Sequence, residues 1–360
     1  MINYNRENTI LKDQKKNGKE KPWRINKIGS KILSNSYLRQ GIKRKGERVF
    51  KCGERLFFRA DPSNLNDKVL YQTYFCGDKL CPLCAMRRTD KLYGQTSKIV
   101  EYIQKEWNYR FIFLTLTIRN MPGDGLKAAI DGLMKGFNLL TKRKEFKALS
   151  KGWMRSMEVT VNWQTNDYHP HLHVIIAVDD KYFTDYENYL KHEEWLRLWK
   201  SCMRLDYDPS VNVKKVRGNK ACREDGSISY GKAVSELTKY TVKSADILVT
   251  WSGRERFEKK TGIKLRDRNH AFELTDGVVG LLSDVLHNRR LVAFGGCMKT
   301  VHKMLNLDDP TDGDLLNVDG KTEKKEKYTV EVVYKWCPKT VDYVLDIALT
   351  DPIFLMQRRE

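Results

Sequence analysis

His171 and His173 flank a single leucine in Tyr168-His-Pro-His-Leu-His-Val-Ile-Ile176, a run that reads as a β-strand. Side chains on a strand alternate faces, so both imidazoles point one way. Leu172, Val174, Ile176 and Val178 point the other way, into a core. Two imidazoles on one face can hold a divalent ion, and such ions do phosphate chemistry. An isolated His-x-His also occurs as a merely hydrogen-bonded pair, so its context must decide. Three of the seven histidines of the chain fall in these few residues. The third, His169, shares the strand phase, but Pro170 bends the entry. His169 is therefore either a support behind the ligands or a substrate contact.

The text around this strand alternates elements. Phe111 to Ile118 reads as a strand with Ile112, Leu114, Leu116 and Ile118 on its apolar face and Thr115 and Thr117 on the other. Gly125 to about Glu145 has Leu126, Ile130, Leu133, Phe137 and Leu140 at helical spacing. Met154 to Asn162 is a second strand, apolar at Met157, Val159 and Val161 and polar at Ser156, Glu158, Thr160 and Asn162. After the histidine strand, Thr184-Asp-Tyr-Glu187 reads as a capping box for a helix through Trp195 and Trp199. Val211 to Val216 is a short strand, and Gly231 to about Leu248 a helix. The order β-α-β-β-α-β-α predicts an α+β fold: a split βαβ, ferredoxin-like antiparallel sheet with helices on one face. Its open face would carry Thr115, Thr117, Glu158, His171 and His173. Glu158, on the neighbouring strand, is either the third metal ligand or the partner of a surface lysine. Two imidazoles, one carboxylate and open positions suit Mn²⁺ or Mg²⁺ acting on a phosphate.

A second cluster lies upstream: Cys52, Cys76, Cys81 and Cys84, the last three within Cys76-Gly-Asp-Lys-Leu-Cys-Pro-Leu-Cys84. Pro82 pre-bends the Cys-Pro-Leu-Cys turn so that both thiolates face one ion. A four-cysteine structural zinc site is expected, although only one Cys-x-x-Cys is present and four buried free thiols are the alternative. Strand-like text, Leu56 to Phe58 and Val69 to Tyr71, lies between Cys52 and Cys76. Arg87 and Arg88 follow and are candidate phosphate contacts. Cys202, Cys222, Cys297 and Cys337 have no paired ligand spacing.

The 360 residues carry 66 Lys+Arg against 46 Asp+Glu, a formal charge of +20. That sign and size point to a polyanionic partner, most simply nucleic acid; a generic basic surface is the alternative. Residues 1–47 are polar and basic with little apolar periodicity, and are expected to be a mobile arm that meets phosphates or an inert solvated tail. No signal peptide or membrane-length apolar run is evident, so a cytoplasmic location and no membrane partner are expected. In that setting cysteines serve as metal ligands or thiols before they serve as disulfides.

One more stretch can do chemistry. Glu236, Tyr240 and Lys243 in Ser235-Glu-Leu-Thr-Lys-Tyr-Thr-Val-Lys243 share a helix face at i, i+4 and i+7. A tyrosine flanked by Lys239 and Lys243 can act as a nucleophile, because nearby lysines stabilise both phenolate and an attacked phosphate. Exposed Tyr-Lys faces are common, and it is the His-x-His that gives this one meaning.

Taken in order, Phe113-Leu-Thr-Leu-Thr117, His169-Pro-His-Leu-His173 and Glu236-x-x-Lys-Tyr240-x-x-Lys243 resemble the plasmid rolling-circle replication initiators, Rep family 1 of the HUH endonuclease superfamily. The cysteine segment through Arg88 and Leu291-Val-Ala-Phe-Gly-Gly296 are also similar to that family, and the resemblance spans roughly residues 50–305. It implies that His171 and His173 bind the metal, with Glu158 as the further candidate, and that Tyr240 is the nucleophile. It further implies nicking and rejoining of single-stranded or hairpin origin DNA through a 5′-phosphotyrosine, leaving a 3′-OH primer. A single tyrosine, in place of a Tyr-x-x-x-Tyr pair, implies Glu236 as the residue that activates water at termination, with Lys243 stabilising charge. Lys239, Arg87, Arg88, Thr117 and His169 are the candidate DNA contacts. Host helicase and polymerase are the implied partners, and a homodimer is left open.

The sequence thus divides into 1–47, a basic arm; 48–95, a zinc-binding module; 96–255, the nuclease domain; and 256–360, a small α/β extension for DNA binding or oligomerisation. In that extension, 254–268 is strongly charged, 281–286 and 301–305 read as helix pieces, 308–327 as a linker and 328–336 as a strand. Two other readings stay open. One is a relaxase or transposase of a mobile element; relaxases usually place the tyrosine before the histidines, and here Tyr240 follows them. The other is a non-catalytic zinc-containing DNA-binding regulator.

Overall fold

The computed structural model describes residues 10–14, 18–184, 189–217, 230–238, 242–316, 318 and 326–352. In chain order the helices are α1 (Trp23–Arg39), α2 (Lys43–Phe50), α3 (Pro82–Trp107), α4 (Gly123–Leu140), α5 (Lys144–Leu149), α6 (His192–Met203), α7 (Gly231–Leu237), α8 (Ser244–Ile247), α9 (Arg254–Thr261), α10 (Arg268–Val285) and α11 (Gly296–Met304). The strands are β1 (Arg55–Asp61), β2 (Asn64–Gln72), β3 (Arg110–Thr117), β4 (Ser150–Asn162), β5 (Asp167–Val178), β6 (Val211–Lys215), β7 (Val292–Gly295), β8 (Val330–Cys337) and β9 (Asp342–Leu345). The result is an α+β protein with two antiparallel sheets. No described helix is long and apolar enough to cross a membrane.

Two compact units form, each from separated stretches of chain. The first comprises Met1–Lys91, Phe272–Ser283 and Asp314–Glu360. Its sheet has the order β2-β1-β8-β9, so the strand foreseen near residues 328–336 pairs with the strand that follows Cys52. The expected arm and the C-terminal extension are therefore not separate pieces. Residues 23–50 form α1 and α2, with Trp23, Leu33, Tyr37 and Val49 buried. This corrects the reading of residues 1–47 as an arm for residues 23–47, and the physical reason is that the inward face of α1 is largely polar. Lys27, Ser30, Ser34 and Ser36 are all buried there. Lys27 Nζ donates to the carbonyls of Phe50 and Cys52 and pairs with Glu54 at 2.8 Å. Ser34 donates to the Gly46 carbonyl at 2.8 Å. A buried polar face satisfied by hydrogen bonds leaves no apolar period to read.

The second unit, Leu92–Ala271 with Asp284–Gly313, holds a five-stranded sheet in the order β6-β3-β5-β4-β7. One face carries Leu114, Leu116, Met157, Val159, Leu172, Val174 and Ile176, all buried. The α4 residues Leu126, Ile130, Leu133, Phe137 and Leu140, at the spacing foreseen, are buried too, and α4 packs on β5. Phe137 meets Trp153 edge-on at 4.9 Å. The other face is not open as expected. At one end, Phe111, Met154, Ile175 and Ala177 join a buried cluster with Ile99, Val100 and Ile103 of α3, Val234 and Leu237 of α7 and Met298 and Val301 of α11. The histidines occupy the remaining end of that covered face.

Two helices differ from expectation. The Trp195 helix begins at His192, where the Glu194 carboxylate accepts the Lys191 N–H at 2.8 Å; the foreseen Thr184 box falls partly outside the described residues. The helix foreseen over 231–248 is interrupted. It stops at Leu237, and Lys243 is extended (φ −79°, ψ 120°) before the single turn of α8. Thr238 donates back to the Val234 carbonyl at 2.8 Å. Such back-bonding slightly destabilises a helix, and the extended Lys243 lies outside any continuous one. Glu236, on α7, and Lys243, ahead of α8, therefore do not lie on one continuous helix.

Candidate active site

Strand register builds the site. The central strand β5 pairs with β4 on one side and β3 on the other, placing His171 opposite Glu158 and Thr117, and His173 opposite Ser156 and Thr115. Glu158 Oε2 lies 3.0 Å from His173 Nε2 and 3.4 Å from His171 Nε2. All three side chains are buried. The outer ring nitrogens are also engaged: His171 Nδ1 lies 3.1 Å from the His169 carbonyl and His173 Nδ1 3.4 Å from Thr115 Oγ1. A carbonyl partner holds the proton on Nδ1 and leaves the Nε2 lone pair for an ion, the usual way a metal-binding imidazole is oriented.

The three groups could hold a metal, since one ligand atom from each lies within 4.8 Å of the others. Adjacent ligands of an octahedral ion at about 2.1 Å are about 3.0 Å apart, close to the observed carboxylate–imidazole spacing. The carboxylate is prepared for this. Burial raises its pKa, but contacts from His171 and His173 and the charge of Lys243 outweigh it and hold Glu158 well below the usual carboxylate range. Lys243 Nζ reaches the second oxygen, Oε1, at 3.3 Å. Both roles weighed for Glu158 thus occur together: beside two imidazoles and paired with a lysine.

His169 is half-buried, and its ring stacks on His171 with centroids 5.1 Å apart. Burial and the neighbouring His171 lower its pKa. Its carbonyl gives it a supporting place behind His171. Thr117 is buried, donates to the Ser210 carbonyl at 2.8 Å, and accepts through its own carbonyl from Trp199 Nε1 at 2.8 Å. These bonds clasp the end of β3 where a DNA contact was expected. Glu236 is half-buried on α7. Tyr240 and Lys239 lie outside the described residues.

The four cysteines also meet. Cys52 follows α2, Cys76 follows β2, and Cys81 and Cys84 sit at the start of α3. Sulfur–sulfur separations are 3.6 Å (Cys52–Cys84), 3.6 Å (Cys76–Cys84) and 3.7 Å (Cys52–Cys81). A tetrahedral ion with bonds of about 2.3 Å to sulfur spaces its ligands by about 3.8 Å, so the set fits one ion without rearrangement. Gly53 (φ +58°) and Gly77 (φ +71°) each follow a ligand and make the left-handed turns that bring Cys52 and Cys76 inward. Burial opposes ionisation of Cys81, but contacts with the other three thiols and Ser30 reverse this and lower its pKa. Arg88 donates to the carbonyls of Gly77 at 2.5 Å and Asp78 at 3.0 Å, fastening the loop. Arg87 corrects its expected role as a phosphate contact. It is fully buried and donates to the carbonyls of Leu315 and Leu316.

Residues 67–344 match the replication protein family. A "Protein rep" of Bacillus amyloliquefaciens is 35% identical over 358 residues, 95% of this chain and 99% of that one. The chain belongs to Rep family 1, the plasmid replication initiators. A "Protein rep" of Lentilactobacillus hilgardii is 37% identical over 328 residues (91% of this chain, 96% of that one). A "Protein rep" of Streptococcus pneumoniae is 35% identical over 340 residues (93% and 95%). No solved structure matches. The initiator's sequence did not advertise Lys27 and Ser30 as supports of the cysteine cluster, nor the buried Arg155 of β4. No spacing rule marks a polar group that packs inward.

Proposed function

We propose that this replication initiator nicks and rejoins single-stranded plasmid origin DNA in an HUH-type site, starting rolling-circle replication. The observation that carries this is the Glu158 carboxylate of β4 shared between the Nε2 atoms of His171 and His173 on the adjacent strand β5. The strand order β6-β3-β5-β4, with β3 and β4 both antiparallel to the strand between them, supports a ferredoxin-like reading of the core. Mn²⁺ or Mg²⁺ is the expected ion, held by His171, His173 and Glu158; when bound, it draws charge from the scissile phosphate.

The chain's own groups do the rest. The phenolate oxygen of Tyr240 attacks phosphorus. A bond forms from that oxygen to the 5′ phosphate, the bond to the preceding 3′ oxygen breaks, and a 3′-OH is released as a polymerase primer. Reversal rejoins the strand, because the phosphotyrosine conserves the energy of the broken bond. Lys243, poised at Glu158, stabilises charge on the phenolate or phosphate. Glu236 activates water for the terminating cut, acting as a general base. The substrate is single-stranded or extruded, since a buried, strand-lined site does not accept an intact duplex. Lys239, Arg88 and His169 are the DNA contacts on this reading. The cysteine cluster holds a structural zinc, and host helicase and polymerase act downstream.

Incubation of the full chain with Mn²⁺ and an end-labelled single-stranded origin oligonucleotide tests this. A metal-dependent nick is expected, lost with chelator and in His171→Ala. Absence of any nick from the wild type with Mn²⁺ overturns the proposal.

A further inference from the structure

The sheet face away from the triad carries a buried charge that no described group neutralises. Arg155 leaves β4 three residues before Glu158, so the two side chains point to opposite faces. Arg155 is only 8% exposed. Among the described residues, no acceptor lies within hydrogen-bond distance of Nε or Nη1, and both atoms are buried. The guanidinium carbon stands 5.7 Å from the centroid of Phe137 of α4. Burial and the like charge of Arg290 push its pKa down to about 10. Arg290 is exposed and immediately precedes Leu291 and β7, whose Ala293 pairs with Arg155 across the sheet.

The acid that the residue next to Arg290 meets is already taken. Asp131 of α4 accepts from Arg289 Nη1 at 2.5 Å and feels the further charges of Lys127 and Lys135. A buried arginine is ordinarily found with a carboxylate or with carbonyls around its fork. One whose charged neighbour is another arginine lacks an anion.

We propose that Arg155 and Arg290 form a phosphate-binding site on the sheet face opposite the metal triad. A phosphate offers several strong acceptors to a planar guanidinium and removes the repulsion between the two arginines. It approaches from the Arg290 side, where the neighbouring side chain is exposed and changes rotamer readily. The phosphate comes either from the backbone of a DNA strand or from free phosphate. The site requires neither cleavage nor the triad, so it goes beyond the nicking reading and stands or falls separately from it.

Thermal melting of the full chain, without DNA or added metal, tests the site. Sodium phosphate is compared with sodium chloride at equal ionic strength. The wild type should gain Tm in a saturable, phosphate-specific way, as for any ligand that binds only the folded state. Arg290→Gln should weaken the apparent phosphate affinity at least about tenfold, the effect expected for a lost charge-assisted bond. Arg155→Met should abolish the response and Arg155→Lys should retain part of it. Should Arg155→Met fail to fold, the surface variant Arg290→Gln decides. A wild type with no phosphate-specific shift, or a wild-type response in Arg290→Gln, overturns the proposal. Binding of a single-stranded oligonucleotide across salt concentrations then identifies the source. Loss of about 0.7 from the slope of log K against log salt in Arg290→Gln assigns a DNA phosphate. An unchanged slope with the phosphate response lost assigns free phosphate.

Discussion

Glu158 is the residue through which the candidate site is organised, because its two oxygens face different partners. One lies between the imidazoles of His171 and His173, and the other faces Lys243. Its pKa is depressed in the folded chain, so its ionised form contributes stability above the unfolded carboxylate's titration near about 4.3. That contribution is lost as pH falls below this toward the folded value. In metal-free protein, the Tm difference between wild type and Glu158→Gln should therefore shrink between pH 7 and pH 3. A difference that grows on acidification would contradict the assignment. A second prediction concerns Arg87. It is buried against the Leu315 and Leu316 carbonyls. Arg87→Ala strands those carbonyls and should destabilise the fold by about 1–3 kcal/mol in a denaturant melt, with oligonucleotide affinity unchanged for the folded fraction. The contrast shows what the sequence makes legible. His171, His173 and Glu158 could be placed together because strand alternation and one hairpin determine their register. Arg87 could not be told from a surface arginine, because its partners lie more than two hundred residues away.

Among the elements, the central sheet and α4 were readable because their apolar periods are clean. Phe137 sits at the expected position, fully buried on Trp153. Phe137→Ala should cost about 3–5 kcal/mol of stability by leaving a cavity under α4. A loss under about 1 kcal/mol would contradict that packing. α1 was unreadable because buried Lys27, Ser30, Ser34 and Ser36 replace an apolar stripe. Spacing alone suggests one helix over 231–248, and nothing in it marks the extended Lys243 that separates α7 from α8. The cysteine cluster was legible in composition but not in closure, since Cys52 and Cys76 are delivered by different elements. Because four elements converge there, metal removal should do more than empty a site. A thiol-competing chelator, or Cys81→Ser, should lower Tm by several degrees and release one zinc per chain. A chain that contains no metal when purified with zinc, and melts unchanged in Cys81→Ser, would refute a structural ion.

For the whole molecule, linear boundaries failed where sheets recruit distant strands. β8 pairs with β1, and β7 pairs with β4, so the region beyond residue 256 completes both sheets. The net charge of +20 was the clearest global signal, and it fits an initiator whose relatives are replication proteins. On the proposed mechanism, the DNA strand is transferred to the phenolic oxygen of Tyr240. After reaction with Mn²⁺ and a single-stranded origin oligonucleotide, trypsin cleavage after Lys239 and Lys243 isolates Tyr240-Thr-Val-Lys243. Mass spectrometry should find the 5′-phosphonucleotide on that peptide, at Tyr240. A covalent nucleotide on any other tyrosine, or a nick with no protein-bound nucleotide, would contradict transfer to Tyr240.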